Sequence, residues 1–161
     1  VHMMVKDPER YVEEFQSCGA DMITVHAEAC RDLAETVKKI HETGADAGVA
    51  VNPDTPLSAV TDVMDQVEMI LIMSVYPGFG GQKYIPESTE RIRTLRRMLD
   101  EKGLEHVHIQ VDGGINRETI DEVLAAGANI IVAGSAVFGS NIEQNVRELQ
   151  EKISSYSKKA E

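Results

Sequence analysis

One stretch has the composition of a reaction site: HIQVDGGIN, residues 108–116. In an extended strand, Val107, Ile109 and Val111 share one face, suited to packing on helices, while His108, Gln110 and Asp112 share the other. A carboxylate then stands at the C-terminal tip of a strand, and Gly113 and Gly114 let backbone approach a ligand closely. A helix starting just beyond would add free N–H groups, which favour anions. On this reading Asp112 reaches a substrate while Gly113 and Gly114 help hold a phosphate. The plainer alternative is a capping Asp and a tight turn.

Two more glycine-rich stretches follow apolar runs. In GSAVF (134–138), Gly134 and Ser135 open a turn before the last helix, a second phosphate-binding candidate or ordinary cap chemistry. In PGFGGQ (77–82), Gly78, Gly80 and Gly81 surround an apolar Phe79, as in a loop that closes over a ligand or a merely flexible one. His2 shares a strand face with Met4, and a single His is more often structural than a ligand. His26 and Glu28 are candidates for polar lining at another strand end. His41 is expected on a helix surface, and His106 and His108 have no metal-site spacing with one another.

These residues need a scaffold that gathers strand tips, and the pattern supplies one. Short apolar runs at VHMMV (1–5), MITVH (22–26), AGVAV (47–51), VEMILIMSV (67–75), HVHIQV (106–111) and NIIVAG (129–134) read as strands. Apolar stripes between them read as helices: Leu33, Val37 and Ile40; Ile92, Leu95 and Leu99 within 87–101; Ile120, Val123 and Leu124; Ile142, Val146, Leu149 and Ile153. Asp7-Pro8 reads as an N-cap pair, Pro56 as the opening of a short helix, and Ser140 with Glu143 as a capping box. CGADMITV, TGADAGVA and AGANIIVA form a quasi-repeat in which a helix-ending glycine leads into a strand. Six βα units in one domain (1–161) predict an α/β fold with a parallel sheet. No GxGxxG follows the first strand, and polar residues recur at strand C-termini, so a (β/α)8 TIM barrel is favoured over an open sheet. The barrel is incomplete, with six of its eight units visible.

The chain of 161 residues is 42% hydrophobic with net charge −11, which argues for a globular domain and against nucleic-acid or anionic-membrane partners. Cys18 and Cys30 have no disulfide or CxxC spacing, which suits a reducing cytosol. No run is long enough to span a membrane.

The runs VHMMV, ITVHAEA, VNPDTP, ILIMSVYPGFGGQKYIP, IQVDGGIN and VAGSAVF, in this order, make the chain resemble the ribulose-phosphate 3-epimerases. The resemblance implies a cytoplasmic isomerase of the pentose phosphate pathway that interconverts D-ribulose 5-phosphate and D-xylulose 5-phosphate. Two acid–base groups would move a proton at C3 through an enediolate. By similarity, His2 and Asp112 match ligands of a divalent metal (Zn, Fe, Mn or Co), and Asp112 also matches a catalytic aspartate. His2, Gly78, Phe79, Gly80, Gly81, Gly113, Gly114, Gly134 and Ser135 match substrate contacts, and Met4 and Met73 match methionines beside the reacting carbon. Related phosphosugar barrels, such as hexulose-phosphate synthases, and a non-catalytic phosphate-binding module are the alternatives. The resemblance starts at the family's third strand, so a fragment lacking the second catalytic Asp is expected. Its open edges would make it aggregate, stay partly unfolded or pair with another copy as a homo-oligomer.

Overall fold

The computed structural model describes residues 1–139 and 141–160, with side chains to residue 156. Six parallel strands run in sequence order across one sheet: β1 (His2–Met3), β2 (Met22–His26), β3 (Asp46–Val51), β4 (Met69–Met73), β5 (His108–Asp112) and β6 (Ile130–Val132). Five helices connect or follow them: α1 (Val12–Ser17), α2 (Leu33–Glu42), α3 (Glu87–Glu101), α4 (Ile120–Ala126) and α5 (Ile142–Ala160). The β3–β4 crossover carries 3-10 turns at Leu57–Val60 and Met64–Gln66 instead of an α-helix, so Pro56 opens a tighter turn than expected. This is six strands' worth of a (β/α) barrel wall.

Alternation along the strands separates two apolar layers. Val25, Val49, Ile70, Ile72, Ile109 and Val111 are fully buried on the helix-covered face, against Val37, Ile40, Ile92, Leu95, Leu99 and Val123. Ala50, Leu71, Met73 and Val75 form a separate cluster on the inner face. Both faces of β4 are buried, which explains why MILIM carries no polar residue. Each buried Leu or Ile contributes roughly 1.5–3 kcal/mol, so the helix-side layer is the main source of stability.

The quasi-repeat glycines do what their position requires: Gly19, Gly44 and Gly127 take φ of 98°, 87° and 111° just past α1, α2 and α4. Helix starts were less legible. α2 begins with Asp32 accepting from the Glu35 N–H at 3.1 Å, and Asp32→Ala should cost about 1 kcal/mol, measurable by urea denaturation. Asp7, by contrast, does not cap a helix. It sits at φ 51° before a 3-10 turn, Pro8–Arg10, and its carboxylate accepts from Arg31 Nε at 3.0 Å. An N-cap residue takes extended backbone, and the left-handed Asp7 does not present its carboxylate to the first turn. β1 is shorter than VHMMV because Met4 and Val5 leave the sheet toward this turn. On α5, Leu149 is buried, but Ile142 is 51% exposed and lies off the packed stripe. The Ser140–Glu143 capping box falls on a residue outside the described ones.

Candidate active site

In a flat sheet, β1 and β5 would stand about 19 Å apart, four strand spacings. Here His2 Nδ1 on β1 lies 3.8 Å from Asp112 Oδ2 on β5. The sheet is therefore curled enough for its inner face to close on itself at the C-terminal strand ends. Register supports this: Asp112 pairs with Met73 on one side and Val132 on the other, all inner-face positions.

A cavity of about 330 Å³ opens at this spot. Met4, Met73, Gly78–Gly81 and Asp112–Gly114 line it, so most of the expected site residues meet there. Asp112 is the only carboxylate lining it among the described residues. His2, Gly134 and Ser135 are not among its lining residues. Gly134 and Ser135 stand exposed beyond β6, where the Gly134 carbonyl accepts from the Val137 and Phe138 N–H groups in a short turn. Phe79, at the crest of its loop, is 73% exposed.

Gly113 and Gly114 serve the protein's own packing. A Cβ on Gly113 would meet Val75 Cγ2 at 2.5 Å, and one on Gly114 would meet Tyr84 N at 2.2 Å. Their φ values, 126° and 67°, disfavour side chains as well. The close approach predicted for a ligand is thus also an approach of the loop after β4. Buried Ser74 fastens this junction, its Oγ donating to the Gly113 carbonyl at 2.6 Å and its N–H to the Asp112 carbonyl at 2.9 Å. The helix expected directly after the glycines starts only at Ile120, because Asn116 Oδ1 first collects the Glu118 and Thr119 N–H groups in a turn. Asp112 caps nothing there.

The loop after β4 is tied at its base. Gln82 Nε2 donates to the carbonyls of Tyr76 at 2.6 Å and Phe79 at 2.9 Å, and the Tyr76 hydroxyl donates to Asp54 Oδ1 at 2.7 Å. Gln82→Ala should raise amide hydrogen exchange across 77–82 by an order of magnitude or so, with global stability falling by no more than about 1.5 kcal/mol. Nothing local in the sequence marked Gln82 as that tie.

The electrostatics separate the two facing groups. Burial and the neighbouring His26 push the His2 imidazole down to about 4, so it is neutral at neutral pH and its contact with Asp112 is no ion pair. Burial lifts the Asp112 carboxyl above the usual carboxylate range, against a smaller lowering pull from His26. His26 itself is only 5% exposed and meets His2 edge to edge, ring centroids 5.0 Å apart, with Nε2 to Nε2 at 2.8 Å. Beyond it stands Glu28, whose Oε1 accepts from the Asn52 N–H at 2.7 Å and from the Thr55 hydroxyl. Burial pushes Glu28 up, but His26, Thr55 and Asn52 together outweigh it and hold the carboxyl at about 2. Arg91 Nη2 in turn donates to the carbonyls of Asn52 and Thr55. The sequence suggested His26 and Glu28 as mouth lining. Their tie to His2, and the supporting role of Arg91, had no local signal. His41 lies on the surface of α2, as expected, and His106 and His108 are exposed and away from this site.

The model of the ribulose-phosphate 3 epimerase family matches residues 1–138. The chain belongs to that family. It is 48% identical over 141 residues to ribulose-phosphate 3-epimerase of Bacillus subtilis, covering 88% of this chain and 65% of the relative. It is 51% identical over 142 residues to the Synechocystis ribulose-phosphate 3-epimerase, covering 87% and 61%. The chain thus spans less than two thirds of the length of these epimerases. Among solved structures, 3-keto-L-gulonate-6-phosphate decarboxylase of Vibrio cholerae superposes with a TM-score of 0.71 at 18% identity, over 96% of this chain and 71% of that one. That likeness shows the fold. Among the described residues, no helix is long and apolar enough to cross a membrane.

Proposed function

We propose that this chain contributes Asp112 and His2 to a ribulose-phosphate 3-epimerase, a cytosolic homo-oligomer that interconverts D-ribulose 5-phosphate and D-xylulose 5-phosphate. Family membership supports the reaction, and the observation that carries the reading at the site is that Asp112 lines one cavity with the glycine loop while His2 reaches it from β1 at 3.8 Å. Asp112 is the acid–base group on one face of C3. It takes the proton beside the C2 carbonyl, and the lifted affinity of its carboxyl for protons makes it a better base. Met4 and Met73 present soft apolar surface that limits water at the reacting carbon. Gly78–Gly81 and Gly113–Gly114 would contact substrate through backbone, with Phe79 covering it on loop closure. Gly134 and Ser135, exposed after β6, would bind the phosphate.

The donors present also fit a divalent metal. Two ligand atoms of one ion stand roughly 3–4 Å apart, as His2 Nδ1 and Asp112 Oδ2 do at 3.8 Å. A neutral imidazole and a carboxylate suit Zn, Fe, Mn or Co alike. Among the described residues no cluster of three or more His, Cys, Asp or Glu side chains completes the set. When bound, the ion supplies electrostatic stabilisation of the negative charge that grows on the substrate oxygens.

The test is proton NMR of D-ribulose 5-phosphate in D₂O with the purified chain and Mn²⁺ or Zn²⁺. Exchange at C3 with appearance of D-xylulose 5-phosphate is the expected result for a complete site, with another copy supplying the second acid–base group. Exchange without epimerisation means that Asp112 works on one face only. Absence of both means that these residues do not suffice for the reaction.

A further inference from the structure

The geometry points to His26 as a positioning residue: with Glu28 behind it, it fixes the tautomer and ring plane of His2 so that the bare Nδ1 of His2 faces Asp112. Three contacts in series carry this. Glu28 Oε2 lies 3.6 Å from His26 Nδ1, His26 Nε2 lies 2.8 Å from His2 Nε2, and His2 Nδ1 lies 3.8 Å from Asp112 Oδ2. An ionised carboxylate only accepts, so each end carboxylate favours a proton on the nitrogen nearest to it. Glu28, closer at 3.6 Å and held in its charged form by two donors, prevails over Asp112 at 3.8 Å, whose carboxylate accepts no hydrogen bond among the described residues, and the proton goes to the near nitrogen of His26. With Nδ1 protonated, neutral His26 has a lone pair at Nε2. The 2.8 Å contact then needs the proton on His2 Nε2, which leaves His2 Nδ1 without one. Glu28 cannot swing away easily, because Asn52 N–H and the Thr55 hydroxyl both hold its other oxygen. The two rings meet edge to edge with 16° between their planes, so the Nε2–Nε2 hydrogen bond lies close to both planes and fixes the orientation of the His2 ring as well as its proton.

The role as a ligand orienter rests on the metal reading proposed above; the tautomer can be read without it. The experiment is long-range ¹H–¹⁵N correlation NMR of the labelled chain near neutral pH. His2 is expected as a single tautomer with Nε2 protonated. His26→Phe keeps a planar ring in the same space but offers no acceptor, so His2 should show tautomer-averaged shifts. His26→Gln places an amide oxygen near the position of Nε2 and should restore the single form. Glu28→Gln should loosen the preference without touching either ring, which keeps the test alive should His26→Phe fail to fold. An unaveraged Nε2–H tautomer in both His26→Phe and Glu28→Gln, or an Nδ1–H tautomer in the unsubstituted chain, overturns the proposal. Zinc titration gives the second readout: affinity should fall roughly 10–100-fold in His26→Phe and recover in His26→Gln. Equal zinc affinity in the three proteins overturns the ligand-orienting role. A chain that takes up no zinc refutes the metal reading, and the NMR result then decides the role of His26.

Discussion

Asp112→Asn is expected to lower C3 proton exchange of D-ribulose 5-phosphate by ~10²–10⁴-fold, the usual share of a general acid–base group. The amide keeps the size and shape of the carboxylate but cannot take a proton. The fold should survive, because among the described residues no side-chain hydrogen bond of Asp112 holds the structure together. The backbone does that work: the Asp112 carbonyl accepts from Ser74 N–H, and β5 remains paired on both sides. The stability should therefore stay within about 1 kcal/mol of the parent's, or rise, since a half-buried carboxylate that accepts no hydrogen bond among the described residues is costly to keep ionised. Zinc affinity should drop as well, because an amide oxygen is a poorer ligand than a carboxylate. Exchange at the parental rate in Asp112→Asn, in a preparation where the parent is active, would exclude Asp112 as the base. Loss of exchange together with a collapsed melt would instead assign the residue a structural role.

The strands and most helices were legible because each obeys a local rule. β2, β3 and β4 alternate or run apolar as buried parallel strands must, and α3 occupies 87–101 as its Ile92–Leu95–Leu99 stripe predicts. The site was legible where chemistry is concentrated in short runs: VDGGI and PGFGG do meet around one cavity. What could not be read was anything set by the curl of the sheet. No spacing rule brings His2 to Asp112, 110 positions later, or sets His2 edge to edge with His26. These contacts depend on how strongly six strands coil, and that is decided by packing on both faces together. Side chains with competing partners were misread for a related reason. Asp7 has the right neighbour for a cap, yet Arg31 from another unit takes its carboxylate. The helix expected after Gly114 was displaced by Asn116, whose side chain offers the backbone a turn before α4 can start.

The largest stability effect is expected at a glycine that the sequence assigned to ligand contact. In Gly114→Ala the new methyl would lie 2.2 Å from Tyr84 N and 2.5 Å from Tyr84 Cα. These are backbone atoms, so no rotamer change relieves the overlap; the β4–α3 loop or the β5–α4 loop has to move by about 1 Å. Moving the first disturbs the chain from the Tyr84 hydroxyl to Thr89 Oγ1 and on to Glu122, contacts of 2.7 and 2.6 Å that join α3 to α4. Moving the second disturbs the carbonyl of Gly114, which accepts from Thr119 Oγ1 at 3.2 Å, and shifts Asp112 with it. Left-handed backbone at φ 67° adds its own roughly 1–2 kcal/mol. The sum should be about 2–4 kcal/mol, a fall in Tm of roughly 5–15 °C for a chain of this length. Gly81→Ala separates the two causes: φ is 75° there, but nothing lies within 4 Å of the added Cβ. That variant should lose only the left-handed strain, ~1 kcal/mol, with hydrogen exchange altered in its own loop and nowhere else. Equal losses in the two variants would mean that backbone conformation, and not the approach of Tyr84, is why position 114 is glycine. A larger loss in Gly114→Ala, with exchange protection lost at 84–89 and 112–119 together, would establish that the β5 tip carrying Asp112 and the loop after β4 are held as one piece.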